Sequence, residues 1–299
     1  METRVDPNKL SKTFKLLGFD NLQHTNCRGF AGGIVVAWKS TEVQIKVEII
    51  DFQFIHLQIA FMHGISWKFT AVYASPKEDL RQEMWLKLKH IGQTMLEGWM
   101  IAGDFNDIAT QDEKKGGAPV SLRKCNNFLN NINECKLIDL GAIGPKFTWR
   151  GAIVNGHERI FERLDRAMSN DEWRLIFPEA IVKVLPRIDF SDHHPIIIML
   201  QGTQGMIQRS KFRFEKAWMY HNTYNDFVKQ KWSKEESLPN KVSHMEAEFG
   251  KWKRDVFGSI QRRKANLMAR LNGIQRKQYN EKHNKFLETL EKIFNKSSA

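Results

Sequence analysis

Ile101-Ala102-Gly103-Asp104-Phe105-Asn106 reads as an apolar strand that runs into glycine and then sets an acid and an amide two residues apart. Side chains two apart in extended chain leave the same face. An acid beside an amide donor suits a site that activates water next to a phosphate oxygen. The same residues also suit an Asx turn that ends a strand. Upstream, the strand opens at Trp99, and Trp67–Tyr73 reads as another. Val43–Ile50 alternates with Val43, Ile45, Val47 and Ile49 on one face, and Phe52–Ile59 repeats the pattern with a slip at Ile55. Between Tyr73 and Trp99 lies a helix: Ser75 suits its cap, Pro76 its first position and Glu78 a capping box. Leu80, Met84, Leu88, Ile91 and Met95 recur in it at helical spacing. Downstream, Leu122–Ile132 and Asp171–Ile176 read as helices, and Val182–Leu185 and Ile196–Leu200 as strands. The expected class is α+β: two sheets packed face to face with helices outside.

Three further stretches bear polar groups at strand ends. Ser191-Asp192-His193-His194-Pro195 stands just before the last strand, where a hard carboxylate and an imidazole can serve a cation and a phosphoryl oxygen from one loop. A polar turn at a sheet edge reads equally well there. Arg163-Leu164-Asp165-Arg166 puts an acid in a basic, apolar run, either to orient a histidine or to pair with an arginine. Tyr73, in Val72-Tyr73-Ala74-Ser75-Pro76, is a phenol at a strand end or a plain core tyrosine. Trp149 reads as core before a base-stacking platform, and Lys114-Lys115-Gly116-Gly117 as a flexible loop able to touch a DNA backbone or as a solvated turn.

The chain has 299 residues, 41% hydrophobic, enough for a sizeable core. Its longest apolar runs, Ile34–Trp38 and Pro195–Leu200, are too short to cross a bilayer, so no membrane partner is expected. Cys27, Cys125 and Cys135 are odd in number and lack CxxC spacing, which disfavours a disulfide framework or zinc knuckle. With no basic leader ahead of an apolar run, an intracellular setting is expected. The net charge of +12 is uneven: residues 1–203 carry 25 basic and 24 acidic side chains, residues 204–299 carry 21 and 10. A boundary near 203 follows, with a basic tail after it that can neutralise phosphates or simply stay solvated. From about Lys241 to Lys296 the tail reads as helix, broken or bent at Gly258 and Gly273 and touching the first domain little. Nothing indicates the oligomeric state.

Taken in order, these motifs resemble the endonuclease/exonuclease/phosphatase superfamily, and within it the endonuclease domain of LINE-type (non-LTR) retrotransposon polyproteins. The distinguishing stretches are Asn26-Cys27-Arg28-Gly29-Phe30-Ala31-Gly32-Gly33, Gly144-Pro145-Lys146-Phe147-Thr148-Trp149-Arg150-Gly151 and Arg159–Arg166. The resemblance covers residues 1–203, and the tail is similar to the linker that leads towards a reverse transcriptase. It implies a deoxyribonuclease-like sandwich and Mg²⁺-dependent (or Mn²⁺-dependent) hydrolysis of DNA phosphodiesters, with a nuclear location. It further implies that Glu2 and Asp192 bind the metal, that Tyr73 and Asn106 contact phosphate, and that Asp104 positions the attacking water. Asp165 then orients the catalytic histidine, His193, while Thr148 and Ser191 lie beside the substrate. The family's first strand and helix have no counterpart ahead of Glu2. The expectation is therefore a chain lacking its first strand, with nicking weakened or lost by truncation. The alternatives are an inactive remnant that binds nucleic acid through its basic tail, and another phosphoesterase of the superfamily.

Overall fold

The computed structural model describes residues 7–25, 33–62, 64–154, 158–188, 191–202, 214, 216–232, 238–256, 258–280 and 284–298. Glu2, Cys27 and most of the 26–33 stretch lie outside the described residues.

After a first helix, α1 (Pro7–Leu16), come strands β1 (Asn21–His24), β2 (Val35–Trp38), β3 (Val43–Ile50), β4 (Phe54–Phe61) and β5 (Ser66–Tyr73). Helix α2 (Glu78–Thr94) leads to β6 (Trp99–Asp104) and the short β7 (Lys114–Lys115). Helix α3 (Leu122–Glu134) leads to β8 (Ile138–Asp139), β9 (Trp149–Val154), β10 (Glu158–Glu162) and β11 (Asp165–Ser169). Helix α4 (Asp171–Ile176) precedes β12 (Ile181–Val184) and β13 (Ile196–Met199). The central sheet has six strands in the order β3-β4-β5-β6-β11-β8.

Strand alternation gives this sheet two apolar faces. One buries Phe54, Val72, Trp99, Ile101 and Met168 against Met84, Trp85, Leu88 and Ile91 of α2 and Phe128 and Ile132 of α3. The other meets a second layer of two antiparallel hairpins, β1-β2 and β12-β13. There Ile34 and Val36 pack on Ile55, Leu57 and Ala71, while Val182, Ile196 and Ile198 pack on Ala102 and Ala167. Each large apolar side chain so buried contributes roughly 1.5–3 kcal/mol. The fold is the expected α+β sandwich. Among the described residues no helix is long and apolar enough to cross a membrane.

Several local expectations are corrected. Ser75 does not cap α2. Its hydroxyl accepts from Lys77 N–H in a turn ahead of the helix, and Arg81 draws on the carbonyls of Ser75 and Pro76. The chain therefore stays extended through Lys77 and turns helical only at Glu78. In β3 a bulge between Val47 and Ile49 ends the expected face at Val47, leaving Ile49 and Ile50 exposed. The extra residue, Glu48, is aimed at Lys68 and His56. Lys114 and Lys115 are not a free loop: they form β7 on the edge of β10, and Lys114 Nζ is 2.9 Å from Glu162. Gly116 follows at φ +76°, where a Cβ would stand 2.6 Å from the Arg159 carbonyl, so only glycine fits.

The tail departs furthest from expectation. It is helical, with α5 (Tyr224–Lys231), α6 (Leu238–Val256), α7 (Gly258–Asn280) and α8 (Lys285–Ser298). Helix α7 opens at Gly258, whereas Gly273 lies inside it. Trp218, Tyr224, Phe227, Phe249 and Trp252 form a small aromatic core of their own. Helices α7 and α8, however, make contact with residues of 147–194. Tyr279 is buried edge-on against Phe147 and Phe161, and Glu288 and Glu291 pair with Arg150, Arg159 and Arg187. Few contacts were expected because Tyr279, Glu288 and Glu291 look like ordinary helix-surface residues until their distant partners are brought to them.

Candidate active site

Strand register builds one row of polar side chains. Tyr73 is level with Asp104 in the parallel pair β5-β6, and Asp104 is level with Asp165 in the antiparallel pair β6-β11. Residues level with one another on neighbouring strands share a face, and this is the face towards the second layer. Asp104 and Asp165 are nearly fully buried, while the ring of Tyr73 packs with Ile34, Ile55 and Leu57.

At Asp104 the strand stops. Asn106 takes φ +46°, a left-handed conformation asparagine tolerates better than most residues. Its N–H donates to Asp104 Oδ1 at 2.9 Å, and its Nδ2 donates to Ala74 O at 2.8 Å and to Asp104 Oδ2 at 3.2 Å. The Asx turn and the paired acid and amide are thus one structure: the turn is what brings the amide against the acid.

The loop between β12 and β13 supplies the histidine. His193 Nδ1 lies 2.8 Å from Asp165 Oδ2, and because a carboxylate only accepts, Nδ1 carries the proton. Nε2 then faces Asp104 Oδ2 at 3.8 Å. Burial works against a charge on this ring, but the Asp165 hydrogen bond and the carboxylates of Asp165, Asp104 and Asp192 outweigh it and raise the pKa to about 9. The imidazole is held cationic at neutral pH. Among the described residues, Asp104, Asp165 and His193 bring their ligand-type atoms within 4.8 Å of one another.

The remaining expected residues divide. Asp192 is exposed beside His193, and its Oδ2 accepts from the Trp149 indole N–H at 3.1 Å. Ser191 Oγ accepts from His193 N–H at 3.0 Å, so it shapes the loop. Thr148, expected beside the substrate, is completely buried. Its Oγ1 accepts from the backbone N–H groups of Leu164 at 2.9 Å and Asp165 at 2.8 Å, which turns it from the cleft to the support of Asp165. Trp149 is half-buried rather than core, and its contact with Asp192 was not foreseen. Neither role has a local signal, since each depends on a residue about fifteen to forty positions away.

Beside the row runs a buried ion network. Arg166, wholly buried, reaches Glu113 at 2.6 Å and Asp139 at 2.8 Å, and Arg163 reaches the same two acids at 2.7 and 2.8 Å. It anchors β11 beside Asp165; both arginines are taken by Glu113 and Asp139, while Asp165 turns to His193 instead of the arginine pair weighed for this run. His194, buried behind His193, has its pKa lowered to about 4, by desolvation first and the nearby Arg187 charge next.

A carboxylate–imidazole–carboxylate group at the edge of a two-layer sandwich, with an amide beside it, can orient and polarise a bound water. The chain belongs to the endonuclease/exonuclease/phosphatase family, whose model matches residues 2–193. Comparison with curated protein sequences yields no match. Among solved structures the chain is similar to the endonuclease domain of TRAS1, a telomere-specific non-LTR retrotransposon, at 13% identity and TM-score 0.47, covering 60% of this chain and 78% of that one. It is also similar to truncated Caenorhabditis elegans TDP2, at 15% and 0.40, covering 64% and 80%. A third is the human nocturnin catalytic domain with bound sulfate, at 12% and 0.38, covering 64% and 77%. At these scores the likenesses carry no argument of their own.

Proposed function

We propose that this chain hydrolyses DNA phosphodiester bonds in a Mg²⁺-dependent reaction, nicking one strand as the LINE-type endonucleases it resembles do. Residues 1–203 would carry the chemistry, and the basic residues of 204–299 would add contacts to nucleic acid. A nuclear site of action follows from a DNA substrate. The observation that supports this most is the His193 geometry: Nδ1 on Asp165, and Nε2 turned to the same Asp104 oxygen that the Asn106 amide reaches.

A cationic His193 is a donor, not a base. Its Nε2–H is suited to a non-bridging phosphate oxygen, where it offsets the charge that builds as water attacks. Asp104 accepts, and is suited to orient the attacking water and draw its proton. Asn106, whose amide nitrogen donates to Ala74 and Asp104, fixes the Asp104 carboxylate and would reach a phosphate by exchanging one of those bonds, and Tyr73 sits at the end of the same row. Asp165 keeps the imidazole ring turned and charged. Asp192 presents an exposed, indole-held carboxylate, an oxygen donor that suits a hard cation, whereas the imidazole engaged by Asp165 does not. Asp192, together with Glu2, would hold Mg²⁺ (or Mn²⁺), which when bound supplies Lewis-acid polarisation of a phosphoryl oxygen.

The test is conversion of supercoiled plasmid to open circles with Mg²⁺, with Mn²⁺ and with chelator. Nicking should need the metal and fall on the order of a hundredfold or more in His193→Ala and Asp104→Asn. Equal nicking by those variants would overturn the assignment. Hydrolysis of a small phosphomonoester without nicking would turn the reading to another phosphoesterase.

A further inference from the structure

The loop that carries Asp192 and His193 is held from outside the matched family region. Three side chains of the tail reach it. Gln275, in α7, grips the backbone of Arg187 at two points: its Oε1 accepts from Arg187 N–H at 3.1 Å, and its Nε2 donates to Arg187 C=O at 3.0 Å. That is the pattern of a neighbouring strand, supplied by a side-chain amide. Glu291, in α8, accepts from Arg187 NH2 at 2.5 Å, while Arg187 NH1 donates to the Ser191 carbonyl at 2.7 Å. Ser191 in turn receives the His193 N–H. Tyr279, in α7, meets His194. The Nδ1 of His194 faces the Leu185 carbonyl at 2.8 Å and must donate to it, so Nε2 is left to accept from Tyr279 O–H at 2.9 Å. Gln275, Arg187 and Glu291 are almost fully buried, so these bonds are shielded from exchange with water.

Two routes therefore run from the tail, one to Ser191, two residues before His193, and one to His194, the residue after it. We propose that Gln275, Tyr279 and Glu291 are positioning residues for the active-site loop, holding Arg187, Ser191 and His194 so that His193 stays on Asp165. The proposal rests on the reading of His193 given above. It makes α7 and α8 part of the catalytic architecture rather than a spacer. In-line chemistry tolerates little drift, since roughly 1 Å of misplacement can cost on the order of a hundredfold in rate. A loop carrying a catalytic ring gains from anchors on both sides.

The test uses the full chain and two conservative changes, Tyr279→Phe and Gln275→Met, singly and together. Both keep the volume while removing the hydrogen bonds, and Tyr279→Phe keeps the ring packing on Phe147 and Phe161. Two signals are read: amide hydrogen exchange of peptides within 185–195, and the downfield imidazole N–H proton resonance of His193, assigned by its loss in His193→Ala. In the double variant, loop exchange should rise by about tenfold or more, the scale of one or two lost buried hydrogen bonds. The His193 resonance should weaken, while peptides from α2 and α6 exchange as before. Unchanged loop exchange overturns the inference alone. Faster loop exchange with an intact His193 resonance also overturns it, since the tail would then be structural only. Absence of that resonance from the unaltered chain overturns the His193 reading and the inference with it.

Discussion

Thr148→Val separates support of Asp165 from contact with substrate. Valine has nearly the shape of threonine and fills the same space, so packing is kept and only the hydroxyl goes. The hydroxyl oxygen accepts from two backbone N–H groups, those of Leu164 and Asp165, in a site with no exposure. A buried donor left without a partner costs about 1–3 kcal/mol, so two cost about 2–6 kcal/mol. Thr148→Ser is the matched control: it keeps the acceptor and loses one buried methyl, about 1 kcal/mol. Urea unfolding followed by fluorescence should therefore rank wild type above Ser above Val, with the Val variant at least about 1 kcal/mol below the Ser variant. The Asp165 amide should also exchange faster in the Val variant only. A Val variant as stable as the Ser variant would refute the role given to the hydroxyl, and would return Thr148 to the cleft as a candidate substrate contact.

Burial lowers the pKa of His56 to about 4 from an ordinary 6.5, with Lys68 adding to that and Glu48 opposing it. The unfolded chain then binds more protons between those values, so His56 alone should remove roughly 3 kcal/mol of stability as the pH drops from about 6.5 to about 4, with His194, also lowered to about 4, adding to the fall; urea midpoints across that range check it, and His56→Gln should remove its own share of the slope. Arg166→Ala leaves Glu113 and Asp139 partly unpaired beside the core and should cost about 3–5 kcal/mol, read as a fall in the urea midpoint. Trp149→Phe removes the indole N–H from Asp192 and should weaken Mg²⁺ activation of nicking on the order of tenfold with little change in melting temperature; an unchanged metal titration would detach Trp149 from the site.

Most of the scaffold was legible along the chain because its signals are local. Trp67–Tyr73, Trp99–Gly103 and Asp171–Ile176 match β5, β6 and α4 within a residue, since a two-residue or helical period shows in any short window. The polar stretches around Asp104, Asp165 and His193 were legible as candidates, each with a plainer reading beside it. What joins them is strand register: Asp165 opposite Asp104, and the loop before β13 folded over both. Pairing partners lie far apart in sequence, so no window could contain them. The start of α2 was misread because Arg81, a turn further on, competes for the carbonyls ahead of the helix. Thr148 was placed in the cleft because its neighbours 16 and 17 residues away, whose N–H groups it satisfies, leave no mark on its own stretch. The tail shows the same limit most plainly. Composition marked residues 204–299 as basic, and spacing marked about 241–296 as helix. That Gln275, Tyr279 and Glu291 face inward, onto Arg187 and His194 some 85 to 104 residues away, was decided only by folding, because a polar residue on a helix carries no record of whether water or a buried partner will satisfy it.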